Sequence, residues 1–234
     1  MNLLDDISKR GAEIRARLRE LLLRHEYPGD VKTRVLSAYV DVALEYHVAI
    51  WLLEKSELTG SAFAMVRTIF DSLFRALWIK KVATEGQIEQ ASRDELKFPQ
   101  MDKLREDIKE NYREPSEPNQ PELLDRLLDR LKEVWRVQCS YTHSARRQLE
   151  RRFTFDEMKP RYSKGEITEA LNLANIALML LLGIFFESMR CNEEADKTGT
   201  MLMQYFTDFA GRLQGRNSGL QAPRTAFLGV ILLL

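Results

Sequence analysis

Apolar residues recur every three to four positions along nearly every segment of this chain, and no stretch alternates apolar and polar residues between hairpin turns. That period is the period of a helix face, so the expected fold class is all-α: a bundle of about six to seven helices. The most apolar run tightens this reading. Residues 171–186 are 16 in number and include Asn172 and Asn175, whereas a bilayer span needs roughly 20 apolar residues. The run is therefore expected to be a buried core helix, with no membrane as partner.

Local signals mark the helix ends. Tyr27-Pro28-Gly29 closes a first helix over about residues 3–25, and Asp30 can cap a second over about 31–57. That second helix carries Val31, Val35, Ala38, Val42, Ala49 and Leu53 on one face and Val40, Leu44 and Trp51 on the other, which predicts a central position. Thr59-Gly60-Ser61 is expected to interrupt it before a third helix over 62–83. Thr84 with Gln87, and Ser163 with Glu166, form capping boxes that open later helices. Between them lies an amphipathic piece over 99–112, then a proline-rich surface loop at 113–121. A helix over 121–140 follows, striped by Leu124, Leu127, Leu128, Leu131 and Trp135. Asn192 can cap a last helix reaching about residue 213. The expected unit is one domain over 1–214, followed by a tail at 215–234 that ends in nine uncharged residues and is assigned no function.

A chain of 234 residues can bury a core without disulfide or metal. Its 35 Lys and Arg balance 35 Asp and Glu, so no global positive field draws nucleic acid and any such contact is local. Cys139 and Cys191 lie far apart with no CxxC spacing, and Asp5 and Asp6 stand where an export signal would be basic. A reducing cytoplasm is expected. No Glu precedes a His by three residues, and there is neither a glycine-rich phosphate loop nor a Gly-x-Ser-x-Gly elbow. Cys139 and His143 offer only two ligands, so no metal and no cofactor is expected.

Two polar constellations stand out. Arg67, Asp71 and Arg75, spaced by four, climb one side of the third helix, with Arg67 projecting among Phe63, Phe74 and Trp78. An arginine in such surroundings requires a partner. Either it makes a structural ion pair to Asp71 or to Glu45, or the set forms a functional site. The second constellation runs from Cys139 to Arg152. On a continuous helix Arg136, His143 and Arg147 share a face, and permanent cations beside an imidazole keep it neutral and able to accept a proton. Such a base suits metal-free RNA cleavage, with His143 activating a ribose 2′-hydroxyl and Arg136 or Arg147 stabilising charge on the phosphate. The same residues equally describe a basic helix end paired to acidic helices.

Arg136 followed after six residues by His143 resembles the Arg and His motif of the HEPN superfamily of helical proteins, many of them metal-free ribonucleases of toxin and phage-defence systems. More closely, Arg67-Thr68-Ile69-Phe70-Asp71, Arg75-Ala76-Leu77-Trp78 and Ser140-Tyr141-Thr142-His143-Ser144, with Gln148 and Arg151-Arg152, resemble a family of uncharacterised bacterial helical proteins over about residues 37–190. The resemblance implies a shared polar set of Arg67, Asp71, Arg75, Tyr141, His143, Gln148 and Arg152. The HEPN likeness implies RNA as the partner of an effector in bacterial defence or stress, and a homodimer through one of the doubly apolar helices is the expected assembly. The alternative expectation is a non-catalytic interaction or sensor module.

Overall fold

The structure is a computed structural model that describes residues 9, 11–16, 19–20, 29–111, 120–142, 149–150, 161–191, 193, 196–201 and 204–205. It is all-α, with no strand among the described residues. Six helices have defined bounds: α1 Val31–Lys55, α2 Thr59–Lys81, α3 Glu85–Ser92, α4 Met101–Asn111, α5 Gln120–Thr142 and α6 Lys164–Ser188. Residues 11–16 and 196–201 are helical as well. The tail at 215–234 and most of the 113–121 loop lie outside the described residues.

The core is built on α2 and α6. In α2 the buried residues include Ala62, Phe63, Val66, Ile69, Phe70, Leu73, Phe74, Leu77, Trp78 and Ile79, which wrap most of the helix circumference. It packs against α1, α4, α5 and α6. The apolar run expected to be a core helix is one: α6 is long and apolar enough to cross a membrane by length and composition, yet 83% of its most apolar window is buried inside the fold. By contrast, α1 packs on α2, α3 and α6 but is only partly enclosed, with 33% of its most apolar window buried. Its buried residues Leu36, Val40, Ala43, His47 and Ile50 form one face, while Val42 is 38% and Leu52 60% exposed. Both apolar faces of α1 reach the core, through Val31, Val35 and Leu53 on one and Val40, Leu44 and Trp51 on the other, while Val42 and Leu52 stay outside it.

Helix ends follow short-range chemistry. Asp30 caps α1 by accepting the Thr33 N–H at 2.8 Å, and the boxes Thr84/Gln87 and Ser163/Glu166 are both closed. The break between α1 and α2 differs from its expected form. Gly60 is buried inside the first turn of α2, and the reversal is made instead at Glu57, whose φ is 59°. The Leu58 N–H returns to the Leu53 carbonyl at 2.8 Å, closing a Schellman turn. The same turn ends α3 at Asp94 and α6 at Arg190, both with left-handed φ. Ion pairs fasten the amphipathic α4 to α5: Arg105 to Asp129, Lys109 to Asp125 and Asp129, and Lys132 to Asp102.

A left-handed L-residue costs about 1 kcal/mol relative to glycine. Glu57→Gly is therefore expected to raise the thermal midpoint by about 2–4 °C in a melt followed by circular dichroism. A lowered midpoint would show that the Glu57 side chain contributes more than its backbone strain.

Candidate functional site

The seam between α2 and α5 carries the first polar cluster. Arg67 and Asp71, four apart on α2, face Trp135 and Cys139, four apart on α5. The Arg67 Nε lies 3.5 Å from Asp71 Oδ2, and the Trp135 indole N–H donates to Asp71 Oδ1 at 2.6 Å. The guanidinium also sits over the Trp135 ring, 5.3 Å from its centre. Arg67 and Asp71 keep 20% and 27% of their side-chain surface, so the seam is sheltered but open to water. Burial pushes the Cys139 thiol up, with Arg67 opposing and Asp71 reinforcing the shift. One turn on, Tyr141 is buried edge-on against Phe63 at 5.0 Å, and the Thr142 hydroxyl lies within reach of the Ala64 carbonyl at 3.5 Å.

Not every sequence-selected residue joins this seam. Arg75 leaves it, placing its guanidinium 4.9 Å from the centre of the Phe98 ring, where its charge opposes the burial that raises the Tyr39 hydroxyl. Glu45, the alternative partner for Arg67, is exposed on α1, because the polar side of that helix turns away from α2. Arg136 is exposed too, and its charge falls on Asp102 of α4, whose carboxyl is held below the usual range mainly by Lys132. His143, Arg147, Gln148 and Arg152 lie outside the described residues. Among the described residues no group of three His, Cys, Asp or Glu could hold a metal ion.

A second cluster, which the sequence reading missed, is buried deeper. Arg15 donates to His47 Nδ1 at 3.1 Å, which places the ring proton on Nε2, and Nε2–H donates to Asn175 Oδ1 at 2.6 Å. The Asn175 amide then donates to the Tyr205 hydroxyl at 2.9 Å, and that hydroxyl donates to Asn172 Oδ1. The result is one directed chain across four segments. Gly11 allows the close approach, since a Cβ there would stand 3.2 Å from both Asn175 Oδ1 and Trp51 Nε1. His47 is 2% exposed, and burial lowers its pKa to about 4, with Asn175 opposing and the Arg15 charge assisting. The available signal was Asn172 and Asn175 inside an apolar run, since buried amides demand partners.

Residues 40–210 of the chain match the model of a family of unknown function (DUF6988). No curated protein and no solved structure matches the chain.

The lowered pKa of His47 makes stability pH-dependent. The unfolded imidazole binds its proton near pH 6.5 and the folded one near 4, so folding is favoured above about 6.5 and loses that contribution as pH falls to 4. The loss is on the order of 3 kcal/mol. Thermal melts between these limits are expected to show a steep acid slope that His47→Gln flattens. An unchanged slope would mean that other groups control the acid limb.

Proposed function

We propose that this chain, which belongs to the family of unknown function DUF6988, acts without catalysis of its own, as a helical interaction or sensor module. The observation that carries this reading is the contact of Arg67 with Asp71 and Trp135, which engages the family-like polar residues in holding α2 to α5. An arginine committed to a carboxylate and an indole is poorly placed to meet charge developing on a substrate. The Cys139 thiol, raised by burial, is held in its protonated, weakly nucleophilic form.

A second reading is favoured by one specific observation. Arg136 is exposed, and α5 brings Thr142, the residue before His143, against Ala64, about one turn ahead of Arg67. On that reading the chain is a HEPN-like, metal-free, RNA-directed effector of bacterial defence or stress, cytoplasmic and homodimeric. His143 would be the base and Arg136 or Arg147 the phosphate partner, with Gln148 and Arg152 completing the polar set.

The two readings separate experimentally. Under the module reading Arg67→Ala is expected to lower stability by about 1–3 kcal/mol in chemical denaturation, less than for a fully buried pair because the seam keeps some water. A double-mutant cycle with Trp135→Phe should show coupling of about 0.5 kcal/mol or more. The purified protein is expected to leave single-stranded RNA intact. Cleavage by the parent that disappears in both His143→Ala and Arg136→Ala would replace the module reading with the second.

A further inference from the structure

The far end of α2 carries a different chemistry. Lys80 and Lys81, its last residues, meet Lys32 from the first turn of α1 and Arg190 from just beyond α6 around a pocket of about 480 Å³. Asp30, Thr33, Ser188 and Met189 complete the lining. Along α2 this pocket lies about 20 Å from Arg67, so it stands without either reading of that seam.

Among the described residues four cations line the pocket, against the carboxylates of Asp30 and Glu187. Asp30 is already occupied by the Thr33 N–H at 2.8 Å and the Thr33 hydroxyl at 2.7 Å. Glu187 is engaged by Lys80 and reached by Lys81 at 3.9 Å. Among the described residues positive charge is therefore in excess in this one concavity. Lys32 is held in place by donating to the Lys80 carbonyl at 2.8 Å, which leaves its other two N–H groups for a ligand. Burial lowers the pKa of Lys32 and lowers that of Lys80 to about 8; Asp30 and Glu187 oppose these shifts, and neighbouring lysines add smaller repulsions. Crowded amines of this kind gain when an anion enters. Because Asp30 caps α1, the ligand would meet side chains rather than helix amides. At Arg190 a φ of 57° sets a guanidinium where a Schellman turn prefers glycine.

We propose that this pocket binds a phosphate group, free or carried by a small phosphorylated metabolite, through Lys32, Lys81 and Arg190, with Lys80 as the charge behind them. Lysine supplies point charges and arginine a two-pronged donor, the combination that suits a tetrahedral dianion. The volume falls in the range of small-molecule sites, roughly 300–1,000 Å³, and leaves space for an organic group beside the phosphate.

Calorimetric titration of the full chain with inorganic phosphate and with glycerol 3-phosphate, at constant ionic strength, tests the site. Saturable binding of at least one is expected, and tighter binding of glycerol 3-phosphate would assign part of the pocket to the organic group. Equal affinity would assign it to phosphate alone. Arg190→Gly relieves the left-handed backbone, so it is expected to melt no lower than the parent while binding about tenfold more weakly. Lys32→Gln should weaken binding by a similar factor. Absence of saturable binding by either probe, or parental affinity in both variants, would overturn the proposal.

Discussion

An amide buried inside an apolar helix must find its hydrogen bonds within the protein, because an unmet one costs about 1–3 kcal/mol. Asn172 and Asn175 impose that demand on α6, both 2% exposed. Their partners come from two other places, His47 of α1 and Tyr205; Arg15 reaches Asn175 only through His47, and Asn172 Nδ2 is left without a hydrogen bond among the described residues. Hydrophobic burial alone would leave α6 free to turn or slide, since it is apolar on nearly every side. The directed chain from Arg15 to Asn172 removes that freedom. It also requires a neutral His47, because a proton on Nδ1 would face the Arg15 cation.

With α6 held, α2 becomes the helix on which α1, α4 and α5 are assembled. It is apolar on most of its circumference, and its middle and its last turn carry different polar chemistry. At mid-helix, on the side facing α5, Arg67 and Asp71 meet Trp135 in a seam that is partly open to water. At the finish, Lys80 and Lys81 meet Lys32 and Arg190 around one pocket. A balanced composition of 35 basic and 35 acidic residues hides this separation, because opposite charges elsewhere are paired across α4 and α5.

Much of the fold was legible because helix signals are short-range. The capping residues Asp30, Thr84 and Ser163 act within one turn, and their helices begin where those side chains place them. The misreadings share a cause in longer-range packing. Gly60 resembles a break, yet burial against the core keeps it helical and moves the reversal to Glu57. The two apolar faces of α1 suggest a central helix, and both reach the core, but neighbours leave Val42 and Leu52 exposed. Glu45 falls on the uncovered side, which separates it from Arg67.

The order of residues was enough to establish an all-helical chain, most of its helix starts, the buried nature of α6, and the four-residue spacing that lets Arg67 reach Asp71. These depend on periods and caps that act over a few residues. It could not show that Arg15, His47, Asn175 and Tyr205 form one hydrogen-bonded chain, nor that lysines at 32, 80 and 81 share a pocket with Arg190. Those meetings depend on which helix faces pack together and how each helix is rotated. Rotation is settled by the joint burial of several helices, a property that no single segment carries.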